Sequence, residues 1–473
     1  MDGLSDVHAP FLKSEGFKEK DRKKICCNQH VLINLPSEGI KIVELILGKT
    51  VNLGKFGAFN SDEIFGYPFG QAFEVLEEGK VRPIKSVRGT GDEHDNSDDD
   101  DASKQEFAKA FSMYSQDNQQ IADIGSKIQK LTAEDIDKLK KSGTSSDVGQ
   151  KIIEQIITGH GGFDKKTIFS QQKYLRRKQK KFLRRFQVEN LGTSQLLKYY
   201  IEKDASKVRD ISEESLGLLL SYANVRPGGN YILLDDTGGV ILYALMERMA
   251  GQGSILCINE NEHPNHSVLR YSDYSEELYE RQVKNANWLQ FTEPESVKVP
   301  WTEVTESELE HMKTLKRAQY FKREKRAKST NEAIALIEKG NFDAFISVSS
   351  LHIPSILPYV LPKIGGSRPI VIYSPYKELL MEIQNCLIAD RKVLGPCILE
   401  TRMRPYQSLL GRMHPVMTMR GYGGYIVWGT RVFPKEAGIQ AAGKGAKRSK
   451  RVNYDGDDVM NNEDQVEQVP EQK

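Results

Sequence analysis

Cysteine is scarce: Cys26, Cys27, Cys257, Cys386 and Cys397 are the five in a chain of 473 residues. None stands in a C-x-x-C pair and no histidine cluster accompanies them, which argues against a zinc site or a disulfide framework and predicts reduced thiols. Long apolar runs are lacking too. Nothing approaches the ~20 residues that span a bilayer, and Met1 to Lys24 has no apolar stretch of the kind a secretory signal needs. The expectation is a soluble intracellular protein with no membrane partner. There is no G-x-S-x-G elbow, no P-loop and no H-E-x-x-H, and Asp235-Asp236 lacks a third carboxylate spaced to make a metal site. Net charge is close to absent, +2 from 67 basic and 65 acidic residues. Those charges are segregated into blocks, and blocks speak about partners.

The length predicts two or three domains of roughly 100–200 residues each. Residues 1–27 read as a disordered N-terminus. From Asn28 the pattern is β: HVLINLP alternates Val31, Ile33 and Leu35, and KIVELIL follows a Ser-Glu-Gly turn. Gly54, Gly57, Gly66 and Gly70 then separate short apolar runs. Short strands with frequent turns predict a small β-barrel-like domain over 28–90. Lys49, Lys55, Phe56 and Phe59 suit either a nucleic-acid face or a folding core with surface lysines. Seven of the ten residues from Asp92 to Asp101 are acidic, so 91–130 reads as a flexible, self-repelling segment.

Residues 131–203 read as helical. LTAEDIDKLKKSG has Thr132 as N-cap, acids in its first turn, lysines in its last and Gly143 as its stop. KIIEQIITG is a second short helix. Lys165 to Val188, KKTIFSQQKYLRRKQKKFLRRFQV, then carries ten Lys or Arg and no acid. Ile168, Leu175, Phe182 and Phe186 recur at helical spacing, which predicts one helix through this stretch. Lys173, Arg176, Arg177, Lys178, Lys180, Lys181, Arg184 and Arg185, with Tyr174 among them, fill its remaining surface. A solvated face normally mixes signs; a run of one sign calls for an anionic partner. These nine residues are the candidate RNA-binding set.

From 204 to 434 strands and helices alternate, which predicts a Rossmann-like, doubly wound parallel sheet with an antiparallel end. SEESLGLLLSYANVRPGG is a helix with Ser212 as N-cap; the strand YILLDD, a glycine pair and an apolar helix follow; SILCINE, FDAFISVSS and SRPIVIYSP are further strands. Two last strands, at HPVMTMR and YGGYIVWGTRV, close the sheet. Residues 262–331 read as a polar insertion ending in a second basic helix, KTLKRAQYFKREKRAK, with eight basic residues against Glu324 alone. The tail, 435–473, reads as disordered; its KGAKRSKR suits a nuclear localisation signal or an RNA-binding tail.

Methyltransferases of this sheet class carry D/E-x-G-x-G-x-G after the first strand, where bare backbone approaches S-adenosylmethionine. With Asp235 in the acidic slot, the three glycine slots fall on Thr237, Gly239 and Ile241, and one glycine survives. Thr237 does not take a positive φ cheaply, and Ile241 sets a β-branched side chain where none is wanted. The acid expected after the second strand falls on Asn259 or its neighbour Glu260. The fourth strand ends Ile346-Ser347-Val348-Ser349-Ser350, with no carboxylate to serve as a base. His352 reads as structural. The expectation is a chain with no catalytic residue and an impaired cofactor pocket.

The order and spacing of VNLGKFGAFNSDEIFGYPFGQAFEV, QKYLRRKQKK, ALMERMAGQGSI, IVIYSPYKELL and RPYQ…HPVMTMRGYGGY complete the reading. Over about Gln29 to Val432 the chain resembles the non-catalytic subunits of eukaryotic tRNA (adenine-58-N1)-methyltransferase. The resemblance implies a 2+2 heterotetramer with a catalytic paralogue that binds S-adenosylmethionine. It implies the T-loop of tRNA, including initiator tRNA, as the substrate, with this subunit helping to hold the folded RNA; the expected location is the nucleus. Two other readings suit the residues: an active S-adenosylmethionine-dependent RNA methyltransferase with an unorthodox pocket, and an RNA-binding translation-factor or scaffold subunit with no part in modification. Arg404 to Gln407 and His414 to Tyr425 read as a subunit interface or as an internal sheet edge.

Overall fold

A computed structural model describes residues 24–85, 87, 146–159, 168–261, 263–409, 412–419, 421 and 423–433. The acidic run, the helix read from Thr132 to Gly143, the basic tail and all but the last few of residues 1–27 lie outside the described residues.

The N-terminal domain is built on β1 (Gln29–Asn34), β2 (Ile40–Leu45), β3 (Thr50–Asn52), β4 (Ala58–Asn60), β5 (Ala72–Val75) and β6 (Val81–Ile84). Two helices follow, α1 (Ser146–Thr158) and α2 (Ile168–Phe182), and then β7 (Arg185–Asn190). The five-stranded sheet runs β2-β1-β7-β5-β6, all antiparallel, with β3 and β4 as a separate hairpin. Among the described residues β2 and β6 are unpaired edges, so the strand order is that of an open sheet. The helix expected through Val188 stops at Phe182. In RFQVEN, Phe186 and Val188 alternate with Gln187 and Glu189, and this period of two wins because those rings complete a core. Phe186 stacks on Phe59 at 4.4 Å and lies 5.5 Å from Phe73. The domain therefore does not close within 28–90: β7 is its middle strand, and buried Ile25 with the Lys24–Pro68 bridge extends it toward the N-terminus. Phe56 and Phe59 are core, not a nucleic-acid face.

Helices α1 and α2 form a hairpin around Ile152, Ile153, Ile156, Phe182 and Leu183. Gly149 permits its closeness: a Cβ there would meet the Phe182 carbonyl oxygen at 2.5 Å.

The second domain begins with α3 (Thr193–Asp204) and α4 (Glu213–Tyr222), the latter capped by Ser212 Oγ, which accepts from Ser215 N at 3.2 Å. There follow β8 (Asn230–Asp235), α5 (Val240–Met249), β9 (Ser254–Asn259), α6 (Glu276–Gln282), β10 (Val283–Asn287), α7 (Thr314–Lys339), β11 (Ala344–Val348) and α8 (Ile353–Val360). The chain ends its described part with β12 (Pro369–Ser374), α9 (Lys377–Asp390), β13 (Val393–Glu400), β14 (Tyr406–Leu409), β15 (Arg412–Pro415) and β16 (Tyr425–Arg431). The seven-stranded sheet runs β10-β9-β8-β11-β12-β16-β13. Its first five strands are mutually parallel, and β16 lies antiparallel to β12 and β13. Apolar clusters cover both faces, the arrangement a parallel sheet requires. Leu32 of β1 is buried in the same cluster as Leu196 and Leu197 of α3, so the domains share an apolar contact.

Two expectations need correction here. The segment 262–331 is not wholly an insertion, because β10 lies within it and forms the sheet edge. HPVMTMR does not close the sheet either: β15 pairs with β14 in a hairpin of its own, and the closing strands are β13 and β16.

Candidate functional site

In an open α/β sheet the ligand crevice lies beyond the carboxyl ends of the strands where the order reverses. Here that point is between β8 and its neighbours β9 and β11. The β8–α5 loop ends there, and its polar groups are spent on one another. Asp235 Oδ1 accepts from Thr237 N at 2.7 Å and from Thr237 Oγ1 at 2.5 Å, while Oδ2 accepts from Leu242 N at 3.0 Å. Thr237, only 3 % exposed, turns its Oγ1 onto the first turn of α5 and accepts from Val240 N at 3.2 Å and Ile241 N at 3.3 Å. An anion or polar ligand would normally take those helix-terminal N–H groups. Here a threonine side chain holds them. Burial raises the Asp235 carboxyl above the ordinary carboxylate range, against the pull of these bonds, and burial likewise raises the Cys257 thiol well above its usual value.

The positive φ angles the loop needs fall on Gly238 (73°) and Gly239 (99°); Gly239 keeps the middle motif slot and Gly238 lies between slots, while Thr237 and Ile241 fill the other two. Ile241 is fully buried in the core beneath the sheet. Above Gly239 the chain itself closes in: a Cβ there would meet His266 Cα at 3.2 Å, and Val268 N donates to Gly238 O at 3.1 Å. His266 Nδ1 lies 2.9 Å from Tyr279 Oη, which also accepts from Asn285 Nδ2 at 3.2 Å. Burial holds this imidazole well below its usual value, at about 4, so the ring is neutral. Sequence reasoning passed over His266; a lone histidine in a polar stretch carries no signal of where it packs.

The other two positions agree. Asn259 bonds locally to Cys257 O, and Glu260 is exposed. At the end of β11, Ser350 donates from both N (2.6 Å) and Oγ (2.8 Å) to Asp236 Oδ2, which ties this loop to the one after β8. His352 is exposed and paired with Ser355 at 2.7 Å and Glu382 at 3.2 Å, on the surface rather than in the crevice. The residues present do not fit S-adenosylmethionine: the turn that should cradle the cofactor is filled by Thr237 and roofed by His266, and β9 ends on Asn259, with the acid one residue later on exposed Glu260. Among the described residues no group of His, Cys, Asp and Glu is arranged to hold a metal, and no helix is long and apolar enough to cross a membrane.

The cationic candidate set divides in two. Lys173, Arg177 and Lys181 are exposed on α2, and Lys181 Nζ lies 5.4 Å from the Phe182 ring centroid. Lys178 lies over Tyr174 at 5.0 Å; burial, with Lys181 and Arg177 beside it, lowers its ammonium from the ordinary lysine range. Tyr174 and Leu175 pack against the α1–α2 core. Lys180 is ion-paired with Glu38 in the β1–β2 turn. Arg176 is on α2, and its side chain lies outside the described residues. Arg184 is partly buried and Arg185 belongs to a different structure. Arg185, at 7 % exposure, bonds through Nε to Glu74 Oε1 at 3.0 Å across the β5–β7 pair, and Arg82 joins the same carboxylate. It neutralises a buried acid inside the sheet and is not available to a phosphate. The candidate RNA surface thereby loses Arg185.

Fold and site together define a methyltransferase-type sheet whose cofactor turn is closed by its own side chains, joined to a β domain that carries a cationic helix. The model of the Gcd10p family matches residues 24–316, and the chain belongs to that family. It is 60 % identical over 443 residues to the tRNA (adenine(58)-N(1))-methyltransferase non-catalytic subunit TRM6 of Debaryomyces hansenii, covering 93 % of this chain and 94 % of that protein. The subunit of the same name from Eremothecium gossypii is 40 % identical over 437 residues (88 % and 94 % covered), and that from Schizosaccharomyces pombe 32 % over 458 (89 % and 94 %). Among solved structures, the tRNA (m1A58) methyltransferase TrmI of Aquifex aeolicus aligns with a TM-score of 0.42 at 11 % identity, covering 89 % of this chain and 100 % of that one.

Proposed function

We infer that this chain is the non-catalytic, tRNA-binding subunit of the enzyme that methylates N1 of adenine 58 in tRNA. The observation that carries the reading is the closed turn after β8, in which Thr237 takes the helix-terminal N–H groups a cofactor would need. S-adenosylmethionine is then held by the catalytic partner, and this chain contributes assembly and grip on the RNA. An active enzyme with an unorthodox pocket is disfavoured on the same ground: the segment that ends β11, Val348-Ser349-Ser350, contributes no acid of its own, and the Asp236 carboxylate beside it is engaged by Ser350 N and Oγ. The RNA surface we assign is α2, where Lys173, Arg177 and Lys181 are exposed beside Lys178 and Tyr174. Phosphates would offset the mutual repulsion of these neighbouring cations.

For assembly, the exposed apolar side chains Met403, Tyr406, Met413 and Met417 lie on and beside the β14–β15 hairpin. A concentration of this kind marks a surface that a partner covers, and the catalytic paralogue in a 2+2 heterotetramer is the partner we assign to it. Action on initiator tRNA and a nuclear location, with the basic cluster Lys444 to Arg451 as the signal, belong to the same proposal.

The test uses the purified complex with Lys173→Gln, Arg177→Gln and Lys181→Gln together. Glutamine keeps helix propensity and removes charge. The slope of log K against log salt for tRNA should fall by about 0.7–0.9 per lost phosphate contact, roughly two to three in all, with assembly unchanged. An unaltered slope would remove α2 from the RNA surface.

A further inference from the structure

We propose that the projecting half of α7 is a second RNA-binding arm, separate from α2 and carried by the sheet domain. Helix α7 spans 26 residues and is divided in its packing. From Ala327 onward Ala327, Ala333, Ile334 and Ile337 are buried, and this half lies against the sheet edge at β10. The half before it, Thr314 to Arg326, buries no side chain fully and is exposed at all but two positions, Tyr320 and Glu324. At 1.5 Å per residue it extends about 20 Å. Tyr320 anchors its base: its hydroxyl accepts from Val304 N at 3.2 Å and its ring lies 5.3 Å from Trp301. Lys325, bonded to Glu276 at 2.8 Å and also to Glu280, fastens the helix to α6.

What remains is cationic. Lys316, Arg317, Lys322, Arg323 and, one turn on, Lys328 have no carboxylate within ion-pair distance among the described residues. At 100° per residue they are spread around the helix instead of forming one stripe. That distribution decides the partner. A protein partner would need an apolar anchor on one face, and lysine is depleted from the cores of such interfaces. A folded RNA offers phosphates to several sides of an inserted helix at once and is held by charge without a buried seam. Exposed Phe321, with the Arg317 guanidinium 5.9 Å from its ring centroid, gives the arm one planar group for an unpaired base. The N-terminal domain meets the sheet domain close by: His30 of β1 contacts Tyr271, and α6, to which the arm is fastened, begins five residues later. The arm and the β domain thus flank one edge of the molecule.

This inference rests on the tRNA-binding reading above, and the test separates the two. In the purified complex of the full chain with its catalytic partner, Lys316→Gln, Arg317→Gln, Lys322→Gln and Arg323→Gln are combined. These exposed positions carry no core packing, and circular dichroism checks that the helix persists. With tRNA as the probe, the salt slope should fall by about three and the dissociation constant should rise on the order of a hundredfold at physiological salt, as expected for losing four phosphate contacts. Combining this variant with the triple α2 variant should reduce the slope further by the sum. If the α7 variant keeps the wild-type slope while the α2 variant loses it, the arm is no RNA contact and the tRNA-binding reading stands. If neither changes the slope, both fall. If the α7 variant loses the catalytic partner while tRNA binding by the chain alone is unaffected, the arm is a protein-docking surface and the proposal is overturned.

Discussion

Thr237 stands where a cofactor turn of this fold places its first glycine, and it performs a structural task there that a glycine would leave undone. Its hydroxyl joins Asp235 to the first turn of α5. Thr237→Val keeps the shape and removes those bonds, so a buried carboxyl and a helix N-terminus both lose a partner. Denaturant unfolding should register a loss of about 1–3 kcal/mol; a loss below about 0.5 kcal/mol would mean the bonds are incidental. The defect in the turn was legible in the sequence, because glycine slots are counted along the chain. Its replacement was not: His266 roofs Gly239 from a distant segment, and only packing brings the two together. His266 yields a pH prediction. Its folded value, about 4, lies below the ordinary histidine value, so the unfolded chain takes up its proton first as pH falls. Stability is full above about pH 6.5 and declines toward pH 4, by roughly 1–2 kcal/mol at pH 5 for a partly screened ring. His266→Gln should remove that component, seen as a melting temperature whose drop between pH 7 and pH 5 is smaller than in the wild type.

At the scale of elements, β7 shows why a correct period can still mislead. Leu175 and Phe182 do share the packed face of α2, and Phe186 continues their spacing, yet the chain has already turned into a strand. Local periodicity does not reveal that Phe59 and Phe73 wait on the far side of a long connection. Phe186→Ala should therefore act on the β domain and not on the RNA helix, with a cost of about 3–5 kcal/mol by chemical denaturation; a cost near zero would place the ring outside the core. The Glu74–Arg185 pair gives a companion outcome. Glu74→Gln leaves a buried guanidinium without its countercharge, at about 3–5 kcal/mol, and tRNA affinity of the folded fraction should be unchanged. The edge strand β10 escaped the sequence reading for another reason. VKNAN has only two buried residues among its five, since an edge strand is half covered, and its composition reads as loop.

At the scale of the whole molecule, the alternation of strand and helix was enough to assign a doubly wound sheet, because parallel strands buried on both faces must be apolar throughout. Which closing strands belong to that sheet, and that the β14–β15 hairpin stands apart, depended on pairings that alternation does not encode. The division of labour follows from the same architecture: a sheet that keeps its shape without a usable cofactor turn still presents surfaces, cationic on α2 and α7 and apolar around the β14–β15 hairpin. The central claim is that this chain assembles with a cofactor-binding partner and holds no cofactor itself. Calorimetric titration of S-adenosylmethionine into the purified complex counts the sites directly. The account predicts one cofactor for each pair made of this chain and its partner, and no heat with this chain alone. Two cofactors per pair, or micromolar binding by the lone chain, would contradict it.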